Sequence, residues 1–168
     1  MKKKTLIPFC AVLLFALMTA SCILPLLDGL TYESSTGGVS VLSGSFKGFD
    51  LIWGRPETDK QTAMSITPGL LAAWIFMLVA ALGGLLVLLA SNQGKKKFKN
   101  DALLALFGLC ALVGGILFFC AKPLSSHTDG SYTLLGYTTF KLALGFLLPA
   151  LFGVTGGVLS FIPLFLKK

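Results

Sequence analysis

Ser91-Asn92-Gln93-Gly94-Lys95-Lys96-Lys97-Phe98-Lys99-Asn100-Asp101 is a short basic loop set between two long apolar runs. Those runs, residues 68–90 and 102–121, contain no Asp, Glu, Lys, Arg or His. Each has about the 20 residues that a helix rising about 1.5 Å per residue needs to cross a hydrocarbon core of about 30 Å. A charged loop between two such runs reads as the connection between two membrane-spanning helices. Working outward, residues 5–27 and 142–166 are again apolar and free of ionisable side chains, and the polar segments 28–67 and 122–141 separate them from the central pair. The 168 residues thus form a single four-span domain.

Composition agrees, because 55% apolar and 12% charged residues lie outside the range of soluble globular chains. The net charge of +7 does not point to nucleic acid. The lysines gather at span ends as Lys2 to Lys4, Lys95 to Lys97 with Lys99, and Lys167 with Lys168, rather than over a polar surface. Basic residues beside a span resist translocation, so these clusters and both termini are expected on the cytoplasmic side of the plasma membrane. Segments 28–67 and 122–141 then face outward.

The first span also has the basic start and apolar centre of a signal peptide, and Leu17-Met18-Thr19-Ala20-Ser21-Cys22 is similar to a lipoprotein processing site. The residue three before Cys22 is Thr19 rather than Leu, and residues 23–27 stay apolar, so an uncleaved span is expected. A lipoprotein anchored at Cys22 is the alternative. Cys10, Cys22, Cys110 and Cys120 all lie in spans without a C-x-x-C spacing and read as small packing residues. A Cys22–Cys120 disulfide near the outer leaflet stays open.

In the first outward segment, residues 38–44 and 46–53 combine β-branched and aromatic residues with glycines between them, which predicts a short β-hairpin. Residues 54–60 are turn-forming. A two-stranded hairpin alone is only marginally stable in water, and residues 131–140 of the second outward segment have the strand character to supply a partner. Trp53 and Trp74 are expected near the outer interface, and Pro149 and Pro163 are expected to kink the last span. Phe49-Asp50-Leu51-Ile52-Trp53-Gly54 resembles Phe140-Lys141-Leu142-Ala143-Leu144-Gly145, which suggests a weak internal repeat.

Small residues four apart mark the spans: Ala80 with Gly84, Ala111 with Gly115, Gly153 with Gly157, and Gly156 with Ser160. In lipid, such spacing lets helix backbones approach for dispersion contacts. Helix packing is therefore assigned to Gly84, Gly115, Gly153, Gly157 and Ser160, with a homo-oligomer face as the alternative.

Exporters and proton-coupled carriers need an ionisable group inside the membrane, and these spans have none. Ser125, Ser126, His127 and Asp129 share one loop, but triad chemistry requires fixed mutual distances that neighbouring loop residues rarely hold. Asp50, Glu57 and Asp59 are outward carboxylates without a catalytic motif around them. There is no phosphate-cradling glycine loop and no metal-ligand spacing. The expectation is no catalytic residue, no cofactor and no metal.

Four spans with both ends inside, a longer outward loop of strand character and a shorter second one resemble the claudin-like tetraspan arrangement. Leu51-Ile52-Trp53-Gly54 is similar to the tryptophan signature of claudins, whose accompanying cysteine pair this loop does not carry. The lysine-rich start and small size also resemble small four-span membrane proteins of low-GC Gram-positive bacteria, which offer no established activity to transfer.

The expected fold is an all-α membrane protein, a four-helix transmembrane bundle capped outside by a small antiparallel β sheet drawn from both outward loops. The expected role is non-catalytic. The bundle sits in the lipid bilayer, while Phe46, Phe49, Leu51, Trp53, Tyr132 and Tyr137 form an outward surface for a membrane or envelope protein. The alternative is a small channel or an accessory subunit of a transporter, at which only Thr155 and Ser160 on the fourth span hint.

Overall fold

Four long helices carry the four apolar runs: α1 (Lys3–Ile23), α3 (Pro68–Asn92), α4 (Asn100–Phe119) and α6 (Leu144–Phe165). The computed structural model describes residues 3–36, 39–56, 65–92, 100–125 and 138–165. All four helices are long and apolar enough to cross a membrane. Most of the basic loop, the lysines at 2, 167 and 168, and the residues Glu57, Asp59, Ser126, His127, Asp129, Tyr132 and Tyr137 lie outside the described residues.

Each long helix runs antiparallel to its neighbours, in the cyclic order α1, α3, α4, α6. Close approaches fix the pairings, as the positions where a Cβ would meet a neighbouring backbone show. At Gly84 on α3 it would lie 3.1 Å from the Ala11 carbonyl oxygen on α1, and at Gly114 on α4 it would lie 3.0 Å from that of Ala73 on α3. Leu14, Met18, Met77, Leu104, Phe118 and Phe146 fill the centre of the bundle. The opposite faces of the shafts expose Leu82, Leu86, Leu89, Leu106, Ile116 and Val158. In water this continuous band of aliphatic side chains would be an aggregation surface, whereas in hydrocarbon it costs nothing.

At one end the bundle carries a three-stranded antiparallel sheet of β1 (Asp28–Thr36), β2 (Val39–Lys47) and β3 (Thr138–Leu142), in the order β2-β1-β3. Both polar loops contribute to it, as expected, but the hairpin differs from the expectation. Its first strand starts at Asp28 rather than near Gly38, because Leu30 and Tyr32 alternate with Thr31 and Glu33 directly after the apolar run. Residues 48–53, expected as the second strand, instead form the short helix α2 (Gly48–Trp53). Leu51 and Ile52 are consecutive and both buried, which a two-sided strand with one wet face would not allow. Gly54 ends α2 with φ 76°, a conformation that side chains with a Cβ disfavour.

The suggested repeat does not survive in structure. Phe49 to Gly54 lies in α2 and its cap, whereas Phe140 to Gly145 runs from β3 into α6. A second short helix, α5 (Ala121–Ser125), follows α4.

Candidate interaction surface at the sheet end of the bundle

The sheet is joined to the bundle through backbone contacts at glycine. Gly48 N–H donates to the Leu27 carbonyl at 3.0 Å, and Ala143 N–H donates to the Gly29 carbonyl at 3.0 Å. A Cβ at Gly145 would lie 2.6 Å from the Asp28 carbonyl oxygen, and one at Gly29 would lie 2.7 Å from Cε2 of Phe146. Only residues without side chains allow α6, β1 and α2 to converge this closely. Phe146 fills the junction and stacks on Phe118.

The register gives the sheet two distinct faces. Leu30 pairs with both Phe46 and Leu142, and Tyr32 pairs with both Gly44 and Phe140. This apolar face is seated on the core at Leu30, with Phe46 and Leu142 packed beside it. The Tyr32 ring covers Gly44, lies 5.0 Å from the Phe46 ring and reaches the Phe140 ring at 6.5 Å. The other face presents Thr31, Glu33, Ser45 and Lys141. On it the Lys141 ammonium pairs with the Glu33 carboxylate at 3.1 Å, with both side chains more than half exposed.

These positions redraw the expected outward surface. Phe46 belongs to the inward apolar face of the sheet. Leu51, only 2% exposed, is a core residue under α2 and contributes nothing to an outer surface. Phe49 is half-buried with its ring edge-on to Trp74 at 6.4 Å. Trp53 is exposed, and its ring meets Trp74 edge-on at 5.6 Å. Tyr132 and Tyr137 lie outside the described residues. The polar face of Thr31, Glu33, Ser45 and Lys141 was missed, and the alternation in residues 30–33 was the available signal.

The small residues assigned to helix packing lie between helices of one chain. A Cβ at Gly153 would lie 2.7 Å from Cα of Gly115, and one at Gly157 would lie 2.8 Å from the Gly108 carbonyl oxygen. Ser160 is buried against Gly108 and donates to the Gly156 carbonyl at 2.7 Å. Gly108, not singled out from the sequence, belongs to the same seam.

Two further buried hydroxyls, of Ser21 and Ser125, likewise donate to carbonyls one turn back in their own helices, Leu17 and Ala121. Thr155 does the same to Leu151 from an exposed position. These hydroxyls spend their donors locally, within their own helices. Cys10, Cys22, Cys110 and Cys120 are free thiols, so the Cys22–Cys120 disulfide is not formed. Among the described residues no group of His, Cys, Asp or Glu could hold a metal ion. Asp50 is engaged with Arg55 at 3.1 Å rather than poised for chemistry.

No protein-family model, curated protein or solved structure matches this chain.

Proposed function

We propose that this chain is a multi-pass membrane protein with cytoplasmic termini and an outward sheet. It acts without catalysis, presenting the polar face of that sheet to a protein or envelope partner while the bundle anchors it in the bilayer. The observation that carries this reading is the two-faced sheet. Leu30, Phe46 and Leu142 seat one face on the core, and Thr31, Glu33, Ser45 and Lys141 stand on the other. The aliphatic shafts support membrane insertion, and the lysine clusters support the orientation. The claudin-like layout is proposed as a likeness of architecture alone.

Two measurements test the reading. Single cysteines at Ser45 and Leu86, in a background lacking the native four, are probed in intact cells with a membrane-impermeant thiol reagent. Labelling at Ser45 and none at Leu86 is expected; no labelling at Ser45 overturns the orientation. A photo-crosslinking residue at Glu33 should then give a discrete protein adduct that the same residue at Leu86 does not. Absence of any adduct at both Glu33 and Ser45 overturns the partner-binding role.

A further inference from the structure

The short helix α2 packs against the start of α3 beside the sheet it follows. Trp74 sits six residues after Pro68, about 9 Å along the axis of α3 from its first residue at about 1.5 Å per residue. Its indole Nε1 donates to the Cys22 carbonyl in the last turn of α1 at 3.1 Å. Trp74 thus stands more than one turn inside α3 and is tied to the last turn of α1. Trp53, the last residue of α2, places its ring 5.6 Å from that of Trp74 while remaining 46% exposed.

The neighbourhood of α2 suits a lipid boundary. α2 packs against α3, against β1 and against the helical turn Leu24–Leu26. Ile23, Leu26, Leu27 and Ile66 are exposed at this end, in continuity with the apolar band of the shafts. Lys47 at the N-cap of α2 is exposed, while Asp50 in α2 and Arg55 just after its C-cap are paired and mostly buried, with side chains 28% and 18% exposed. Pairing lowers the cost of holding them where the dielectric falls, and an amphipathic indole is favoured at that level.

From this geometry we propose that α2 lies within the boundary between headgroups and acyl chains of the outer leaflet. There Trp53 inserts among the lipids and holds the sheet against the bilayer. The occupant of the exposed Trp53 face is phospholipid. This inference rests on the membrane-spanning reading above, and the two tryptophans allow the two to be tested separately.

The purified full chain is reconstituted into phosphatidylcholine vesicles, and the emission of wild type, W53F and W74F is followed. Quenchers are lipids brominated near the carbonyl end or near the chain terminus, and aqueous iodide. W74F reports Trp53 alone and W53F reports Trp74 alone, and the wild-type minus W53F difference gives a second reading of Trp53 if W74F folds poorly. Trp53 should lose most of its emission to shallow-brominated lipid and little to iodide. Trp53 quenched by iodide, or by neither agent because a second copy covers it, overturns the inference, while Trp74 quenched by brominated lipid leaves the spanning reading standing. If neither tryptophan responds to brominated lipid, the spanning reading itself falls, and the inference with it.

Discussion

The rings of Phe118 and Phe146 stack with centroids 5.3 Å apart and planes 28° apart, fully buried where α4, α6 and the sheet meet. Phe146 lies against Phe118 in the bundle core and against Gly29 and Gly48 at the base of the sheet. Phe146→Ala should cost about 3–5 kcal/mol, the usual range for deleting a buried ring. The midpoint of thermal unfolding in detergent, followed by circular dichroism, should fall sharply. Phe118→Leu, which keeps most of the volume, should fall much less.

The α4–α6 seam should be intolerant of added volume. Gly153→Val forces a branched side chain toward Cα of Gly115 and the Ala111 carbonyl, where a Cβ alone would already lie 2.7 Å from each. A loss of at least about 1–3 kcal/mol is expected for overpacking of this kind. Val158→Leu on the exposed face of the same helix should stay within about 0.5 kcal/mol. Denaturation of the two variants side by side checks the contrast, and equal stabilities would disprove the seam.

Gly54 ends α2 at φ 76° and ψ 172°, a region nearly restricted to glycine. Gly54→Ala should therefore cost about 1–3 kcal/mol. The loss should appear first as faster proteolysis around α2, before the helical signal of the bundle declines.

The Glu33–Lys141 pair on the polar face should matter little for stability. Both side chains are more than half exposed, and pairs of this kind contribute about 0–1 kcal/mol. A double-mutant cycle with Glu33→Gln and Lys141→Met should give a small coupling that shrinks as salt rises. A larger loss of partner crosslinking than of stability would mark the pair as part of the binding face.

A chain starting at Cys22 should not assemble. It would lack Ala11, Leu14 and Met18, which are buried in the core, and would leave Gly84 and Gly156 facing lipid. Aggregation on size exclusion in detergent is the expected outcome, and a monodisperse truncated protein would show that α1 is dispensable.

The helices were legible in the sequence because crossing hydrocarbon imposes length and apolarity together, and residues 68–90 and 142–166 meet both conditions without ambiguity. The sheet was legible in kind but not in register. Residues 28–33 fall in the polar segment after the first span, and the short alternation of Leu30 and Tyr32 is a weaker strand signal than the β-branched and aromatic residues at 38–53. Residues 46–53 carry aromatic residues that fit strand and helix alike, and the choice is made by burial of adjacent Leu51 and Ile52, a tertiary fact. The packing role of Gly115 and Gly153 was visible from their four-residue spacings with Ala111 and Gly157, but their mutual pairing across α4 and α6 was not. The polar face of the sheet required the register to be known before Thr31 and Lys141 could be seen as neighbours.

β1 is the central strand of the sheet, yet its two partners enter the chain at very different times. β2 follows it at once, while β3 begins at Thr138, immediately before the last span. During biosynthesis one edge of β1 stays open until α1, α3 and α4 have been made, and the early hairpin is only marginally stable by itself. Closure of the sheet therefore reports that the chain has been made as far as β3. A chain stalled or truncated before β3 would display an unpaired β1 edge, a ready template for pairing with another chain.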